Sequence, residues 1–180
     1  MPSASGYTAR LPQDTILDTG LLSTEIAAVD TVVGVSRGGL RFDPGIALRE
    51  IDYDGKRAPI VGGDRISFRR PVISGTMLQV GPEDLRIYEP AAAGALDVVT
   101  PKPAGTPFVI GEYLKNLKLK YKKSDGQTVT VTFPYAICTK YDIHGTDNNE
   151  GEVAVAFEAR LDRADVANSD TTVPYTIVIS

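Results

Sequence analysis

Residues able to do chemistry are few in this chain, and their spacing limits them further. His144 is the only histidine and Cys138 the only cysteine. Nucleophilic catalysis needs such a group beside a base and an orienting third residue, and no motif of that kind surrounds Cys138, His144 or any serine. His144 sits in the polar stretch Asp142–Gly151, where a solvent-facing loop histidine is expected. One His and one Cys cannot complete a tetrahedral zinc site. Asp142, Asp147, Asn148, Asn149 and Glu150 offer oxygen ligands, but not at the spacing of an EF-hand calcium loop. Gly34-Val35-Ser36-Arg37-Gly38-Gly39 is glycine-rich without phosphate-binding spacing, so a strand bulge or close backbone approach accounts for it better. Glu50 and Asp52 share one strand face, as glycosidase carboxylates could, yet the chain has no tryptophan to stack on a sugar. No catalytic, metal-binding or cofactor-binding residue is assigned, and no cofactor is expected.

Asp18-Thr19-Gly20 resembles the Asp-Thr-Gly triplet of retroviral-type aspartic proteases. That resemblance would imply a homodimer in which two Asp18 carboxylates share a proton. In such proteases a small residue follows the triplet; here Leu21 and Leu22 do, and Ile60-Val61-Gly62-Gly63 matches the later apolar-glycine element only loosely. A turn or capping aspartate before a glycine is the preferred reading.

The chain must position these groups with 180 residues, 42% of them apolar, enough for one cored domain. A net charge of −4 and a pI near 5.0 argue against tight, sequence-independent binding to nucleic acid phosphates. One cysteine excludes an internal disulfide. No apolar run is long enough for a membrane helix, and Met1–Arg10 has no hydrophobic stretch of a signal peptide. Synthesis and folding in the cytoplasm are therefore expected.

Strands dominate the pattern. Residues 1–13 read as a flexible arm rich in Ser, Ala, Pro and Gly. Val32–Phe42 is apolar around Gly38-Gly39. Leu48–Tyr53 and Ala58–Val61 flank Asp54-Gly55, which predicts a hairpin. Arg65–Val80 reads as a long strand with Ile66, Phe68, Val72, Leu78 and Val80 on one parity, bent or at an edge near Arg70-Pro71. Pro82, Glu83 and Asp84 suit a helix start, Leu85 and Tyr88 share a face, and Pro90 ends it. The Pro/Ala-rich stretch 90–107 reads as loop.

The sharpest local expectation is a hairpin from Asn116 to Ile137. Leu117, Leu119 and Tyr121 alternate with lysines, and Val129, Val131, Phe133 and Tyr135 alternate with Thr128, Thr130 and Thr132 up to Phe133. Successive side chains point to opposite faces, so both apolar sets must share one face. That pairs Tyr121 with Val129, Leu119 with Val131 and Leu117 with Phe133. Ser124-Asp125-Gly126 then forms the loop, with Gly126 where a bulged turn needs a left-handed residue. Val153, Val155, Phe157, Ala159 and Leu161 define a further strand opposite Glu152, Glu158, Arg160 and Asp162, and Val173, Tyr175 and Ile177 a last one. The expected fold is mostly β, a sandwich or partly open barrel with one short helix: an arm and first strand over 1–30, and a single β domain over 31–180. Charge is uneven: Arg37–Arg70 carries eight basic and five acidic residues, Asp142–Asp170 eight acidic and two basic. Either these are solvated loops, or they are complementary surfaces that steer one subunit onto the next.

The order of these features resembles the tail tube proteins of long-tailed, non-contractile bacteriophages. Carrying the resemblance are the Gly-Gly step within Val33–Phe42, the segment Arg49-Glu50-Ile51-Asp52-Tyr53-Asp54-Gly55, the step Val61-Gly62-Gly63, the amphipathic strand and short helix, the strand Val153–Leu161, and Pro174-Tyr175-Thr176-Ile177. The stretch 90–107 has no match in that pattern. The resemblance implies hexameric rings with sheets joined around a lumen, stacked into a tube in the virion tail. Implied partners are copies of the chain, a tape-measure protein, tail terminator or tip proteins, and DNA that passes without tight binding; no membrane is involved. It places ring stacking at Arg49, Glu50, Ile51, Asp52, Tyr53, Asp54, Gly55 and Lys56, with the arm 1–30 as a further interface. Alternatives are the tube protein of a contractile tail or type VI secretion system, a non-catalytic β-sandwich binding module on a virion, and the Asp18 protease.

Overall fold

The computed structural model describes residues 20–26, 28–34, 36–50, 61, 64–78, 82–93, 98–146, 149–162, 164–165 and 172–180. Ten strands and one helix follow in chain order: β1 (Leu21–Ile26), β2 (Val29–Val32), β3 (Ser36–Asp43), β4 (Ile46–Glu50), β5 (Asp64–Arg69), β6 (Val72–Met77), α1 (Pro82–Tyr88), β7 (Leu114–Lys122), β8 (Thr128–Thr146), β9 (Asn149–Arg160) and β10 (Thr176–Ile179). The main sheet runs β2-β1-β7-β8-β9-β6-β3, with β10 added to β8, and β4 and β5 form a separate two-stranded ribbon. The fold is mostly β, as expected, and its sheets do not close into a barrel.

The Asn116–Ile137 hairpin takes the expected register, with Leu117 opposite Phe133, Leu119 opposite Val131, Tyr121 opposite Val129 and Lys120 opposite Thr130. Gly126 has φ +88°, and the Gly126 amide donates to the Lys123 carbonyl at 3.1 Å. Leu117, Leu119, Val131 and Phe133 are buried, and each such side chain gains about 1.5–3 kcal/mol from leaving water. Across this core lies β3: Phe42 packs on Phe133 at 6.1 Å between ring centroids, and the Tyr121 hydroxyl donates to the Leu40 carbonyl. The sheet thus curls over itself although its end strands do not pair. Helix α1 closes the remaining side, burying Tyr88 against Phe157. The Gly38-Gly39 pair makes the expected bulge: the β3–β6 register shifts between Arg37 and Leu40.

Several expectations are corrected. The described part of Arg65–Val80, up to Leu78, holds two strands in two sheets, broken at Arg70-Pro71, and β6 buries the other parity, Ile73 and Met77, while Ile66 and Phe68 are exposed. Gly75 between those buried residues hid the inward face, and Ser74 and Thr76 mark the outward one. The described part of the strand at Leu48 pairs with Asp64–Arg69, and Val61 is fully exposed in a turn, while residues 51–60, where the Asp54-Gly55 hairpin is expected, lie outside the described residues. Asp142–Gly151 is not a long loop: β8 and β9 run through it, and His144 sits opposite Glu152. The last strand begins at Thr176, with Tyr175 before it packed edge-on against Phe42. Stretch 90–107 forms neither helix nor strand among its described residues; one bridge joins Ala93 to Thr100.

Candidate assembly surface

A ribbon leaves the main sheet where β3 ends and returns where β6 begins. Its root is tight: the Arg70 amide donates to the Gly45 carbonyl at 2.9 Å, and the Gly45 amide to the Asp43 carboxylate at 2.9 Å. A Cβ built on Gly45, whose φ is +53°, would fall 2.0 Å from the Arg70 carbonyl oxygen. Buried Pro71 follows, its carbonyl accepting the Ala159 amide at 3.0 Å. Proline fits here because the chain is crossing between sheets and has no ladder bond to donate. Arg69 also reaches the Tyr175 hydroxyl at 2.9 Å.

Beyond this root, among the described residues, β4 and β5 pair only with each other, and a two-stranded hairpin is marginal in water by itself. The register sets Ile46 against Arg69, Ala47 against Phe68, Leu48 against Ile66, Arg49 against Arg65, and Glu50 against Asp64, with a bulge between Ala47 and Leu48. Leu48 is 64% and Phe68 60% exposed, and Ile46 and Ile66 are exposed too. Arg49 and Glu50 lie on this ribbon; Ile51, Asp52, Tyr53, Asp54, Gly55 and Lys56, like Asp18 and the rest of residues 1–19, lie outside the described residues, while the later part of the arm 1–30 forms β1 and the start of β2. Behind the ribbon a cleft of about 590 Å³ runs between Ile66–Arg69, Glu158–Leu161 and Thr172–Pro174.

Strand edges are the second feature. Among the described residues β2 and β3 end the main sheet with one neighbour each, and β10 has only β8. All of β10 is exposed, including Ile177, Val178 and Ile179. Unpaired edges with apolar side chains are templates for another chain.

The two oppositely charged stretches meet inside the subunit, because β3, β6 and β9 are adjacent. Arg37 contacts Glu152 at 2.7 Å and Arg70 contacts Glu158 at 2.8 Å. Glu158, also hydrogen-bonded by Arg160, is buried despite pointing away from the core face, since the ribbon root covers it. Burial alone raises its pKa, but the Arg70 and Arg160 hydrogen bonds outweigh that and hold it below the ordinary glutamate value. The sequence placed Glu158 on a solvent face; the Arg70-Pro71 crossing was the available clue that something would cover it.

Cys138 and His144 both lie on β8, in different settings. Cys138 is buried in the core, and burial pushes its thiol up to about 11. His144 is exposed on β8. Among the described residues no three His, Cys, Asp or Glu side chains converge on a metal site.

No protein-family model and no curated protein matches the chain. Among solved structures it is similar to a chain from the tail of an empty gene transfer agent particle, obtained by helical refinement with C6 symmetry. Identity there is 12% and the TM-score 0.48, over 80% of this chain and 92% of that one. A chain of the native gene transfer agent virion is similar at 15% identity and a TM-score of 0.42, over 79% of this chain and 92% of that one.

Proposed function

We propose that the chain is a non-enzymatic structural subunit of a phage tail tube, forming stacked hexameric rings around a lumen that conducts the genome. The observation that carries this reading is the β4–β5 ribbon. It exposes Leu48, Ile66 and Phe68, with no third strand beside it among the described residues, at the place where the tail-tube resemblance puts ring stacking. A subunit that works alone has no use for such a projection, whereas an assembly covers it. Closed rings can also remove open edges such as those at β2 and β3, since a rotation that closes lets one edge of each copy pair with another edge of its neighbour. A net charge of −4 suits passing DNA, because like charge limits adhesion. Partners in this reading are copies of the chain, a tape-measure protein and terminator or tip proteins, and its location is the virion tail.

Negative-stain microscopy and sedimentation of the purified chain test it. Rings or tubes are expected at high concentration and low salt. A persistent monomer with no rings overturns it, and a contractile-tail or secretion tube would be separated by whether a sheath protein binds the assembled tube.

A further inference from the structure

The Pro/Ala-rich stretch 90–107 has no match in the tail-tube pattern, yet the described residues at its end are braced by charge. The Lys102 ammonium lies 2.6 Å from each carboxylate oxygen of Glu112 and 5.2 Å from the centre of the Phe108 ring. Glu112 also accepts the Val109 amide at 2.8 Å, which closes a single 3-10 turn over Ile110–Glu112. Phe108 leans on Tyr113 at 6.0 Å between centroids. The Lys102 side chain is only 15% exposed, whereas Val109 is 59% and Ile110 55% exposed. A mostly covered ion pair thus holds two adjoining apolar side chains out in water, and clustered apolar exposure marks a recognition surface.

These residues form one wall of a cleft of about 510 Å³, with Tyr135 and Leu161 in the rest of the lining. The Tyr135 hydroxyl donates to the Asp162 carboxylate, which also lines the cleft and accepts the Ala164 amide at 3.0 Å. Asp165 follows on the same turn, its amide bonded to the Asp162 carbonyl at 3.0 Å. Arg160 is the one cation among the described lining residues, and its guanidinium is engaged by Glu158 and the Ala159 carbonyl. Three aromatic rings and a carboxylate around an apolar cleft suit a cation on an apolar stem, since ring faces and carboxylate both attract positive charge. Phe108 already takes one such cation, from Lys102. The stretch Asp142–Asp170 that contributes Asp162 and Asp165 adds the same sign: eight acidic residues stand against Arg160 and Arg163, the latter outside the described residues.

We infer that this cleft takes an extended segment of a second, basic protein. An arginine or lysine of that segment enters among Phe108, Tyr113 and Tyr135 toward Asp162, and a neighbouring apolar side chain lies on Val109 and Ile110. Charge favours such a partner over another copy of this chain, since chains of net charge −4 repel at long range and a basic one is drawn in. The Lys102–Glu112 brace keeps the wall in its binding form beforehand, so little order is lost on docking. The inference does not depend on the tube reading and concerns a loop that reading leaves unused.

Fluorescence anisotropy on the full chain tests this, with a fluorescein-labelled hexapeptide of alternating leucine and arginine as the probe. Two control peptides carry glutamate in place of arginine, or serine in place of leucine. The probe should bind at least about tenfold more tightly than either control. Ile110→Ser should weaken probe binding about tenfold and melt with the parent, because Ile110 is exposed. Lys102→Met should weaken it as well by releasing the turn, and Asp162→Asn should shrink the preference for arginine over glutamate. Ile179→Ser, equally exposed but on β10, should change nothing. Tighter binding of the glutamate peptide would show that Arg160 sets the sign of the cleft, and the inference would be wrong. Unchanged binding in Ile110→Ser would put the probe elsewhere on the acidic surface, and binding of no peptide would remove the proposed occupant; either result overturns it. If Ile110→Ser instead blocks self-assembly in sedimentation while the probe does not bind the parent, the cleft is a contact between copies and the basic partner is excluded.

Discussion

Arg70 Nε lies 2.8 Å from Glu158 Oε1, and this contact fastens the root of the exposed ribbon to β9 in the main sheet. Glu158 is almost fully buried while the Arg70 side chain is mostly exposed. The carboxylate is therefore the member of the pair that needs its partner, because an unpaired buried charge is costly and an exposed guanidinium can turn to water.

Stability should follow the Glu158 charge. Burial pulls its pKa up, the two arginine hydrogen bonds pull it further down, and the folded value ends below 4.5. A group with a lowered folded pKa stabilises fully above its unfolded value, and that contribution is lost as pH falls through the folded value. Thermal midpoints of the parent should thus drop below pH 4.5, and those of Glu158→Gln should drop less. Near neutral pH the variant should cost about 1–3 kcal/mol by urea unfolding. Identical pH profiles for the two proteins would show that the pair does not couple to folding.

The β7–β8 hairpin predicts a contrast between neighbours. Leu119→Ala removes a fully buried side chain and should cost about 2–5 kcal/mol. Lys120→Ala, one residue on and facing out, should stay within about 0.5 kcal/mol. Gly126→Ala forces a Cβ onto φ +88° and should cost about 1 kcal/mol. Equal costs at residues 119 and 120 would contradict the observed alternation of buried and outward side chains.

That hairpin was legible in the sequence because period-two alternation and turn chemistry both specify one register. The β5–β6 stretch was not. Its even-parity apolar residues belong to two sheets, and Ile66 and Phe68 are apolar without being core. Periodicity reports that side chains want cover, not whether the cover comes from the same chain. For the same reason Arg49 and Glu50 could be singled out by resemblance, while their like-charged partners Arg65 and Asp64 required the strand register. The internal pairing of Arg37 with Glu152 was hidden too, since only the order of strands in the sheet, with β6 flanked by β3 on one side and β9 on the other, brings the two within reach.

Gly45→Ala should damage the ribbon alone. Its Cβ would meet the Arg70 carbonyl oxygen at 2.0 Å, which no side-chain adjustment relieves. The root must shift, so hydrogen exchange of the Arg70 amide should accelerate while the amides of β7 and β8 keep their protection. Uniform loss of protection would mean that the ribbon is not an independent unit.

Chemical inertness is also testable. Burial holds the Cys138 thiol protonated near neutral pH, with a value of about 11, so a thiol-specific reagent should label it only once denaturant opens the core. Rapid labelling of the native chain would place Cys138 at a reactive site. Asp18→Ala should likewise leave assembly unchanged. A pepstatin-sensitive peptide cleavage that disappears in that variant would instead promote the protease alternative.

Assembly should respond to salt in a way that separates charge from apolar cover. Exposed ion pairs between copies are screened over about 8–10 Å near physiological ionic strength, so raising sodium chloride from roughly 0.05 to 0.5 M should weaken assembly. Sulfate at equal ionic strength screens as well but strengthens apolar burial, so it should weaken assembly less. Arg49→Gln should flatten the chloride dependence because one of the screened charges is gone. Phe68→Ser should weaken assembly at every salt concentration while keeping the slope, since it removes apolar cover and no charge. The monomer should keep its melting temperature in both variants, because residues 49 and 68 are exposed and outside the core. Assembly that is indifferent to chloride, and equally indifferent to Arg49→Gln, would leave the apolar residues of the ribbon as its only contribution and would sink the electrostatic half of the mechanism.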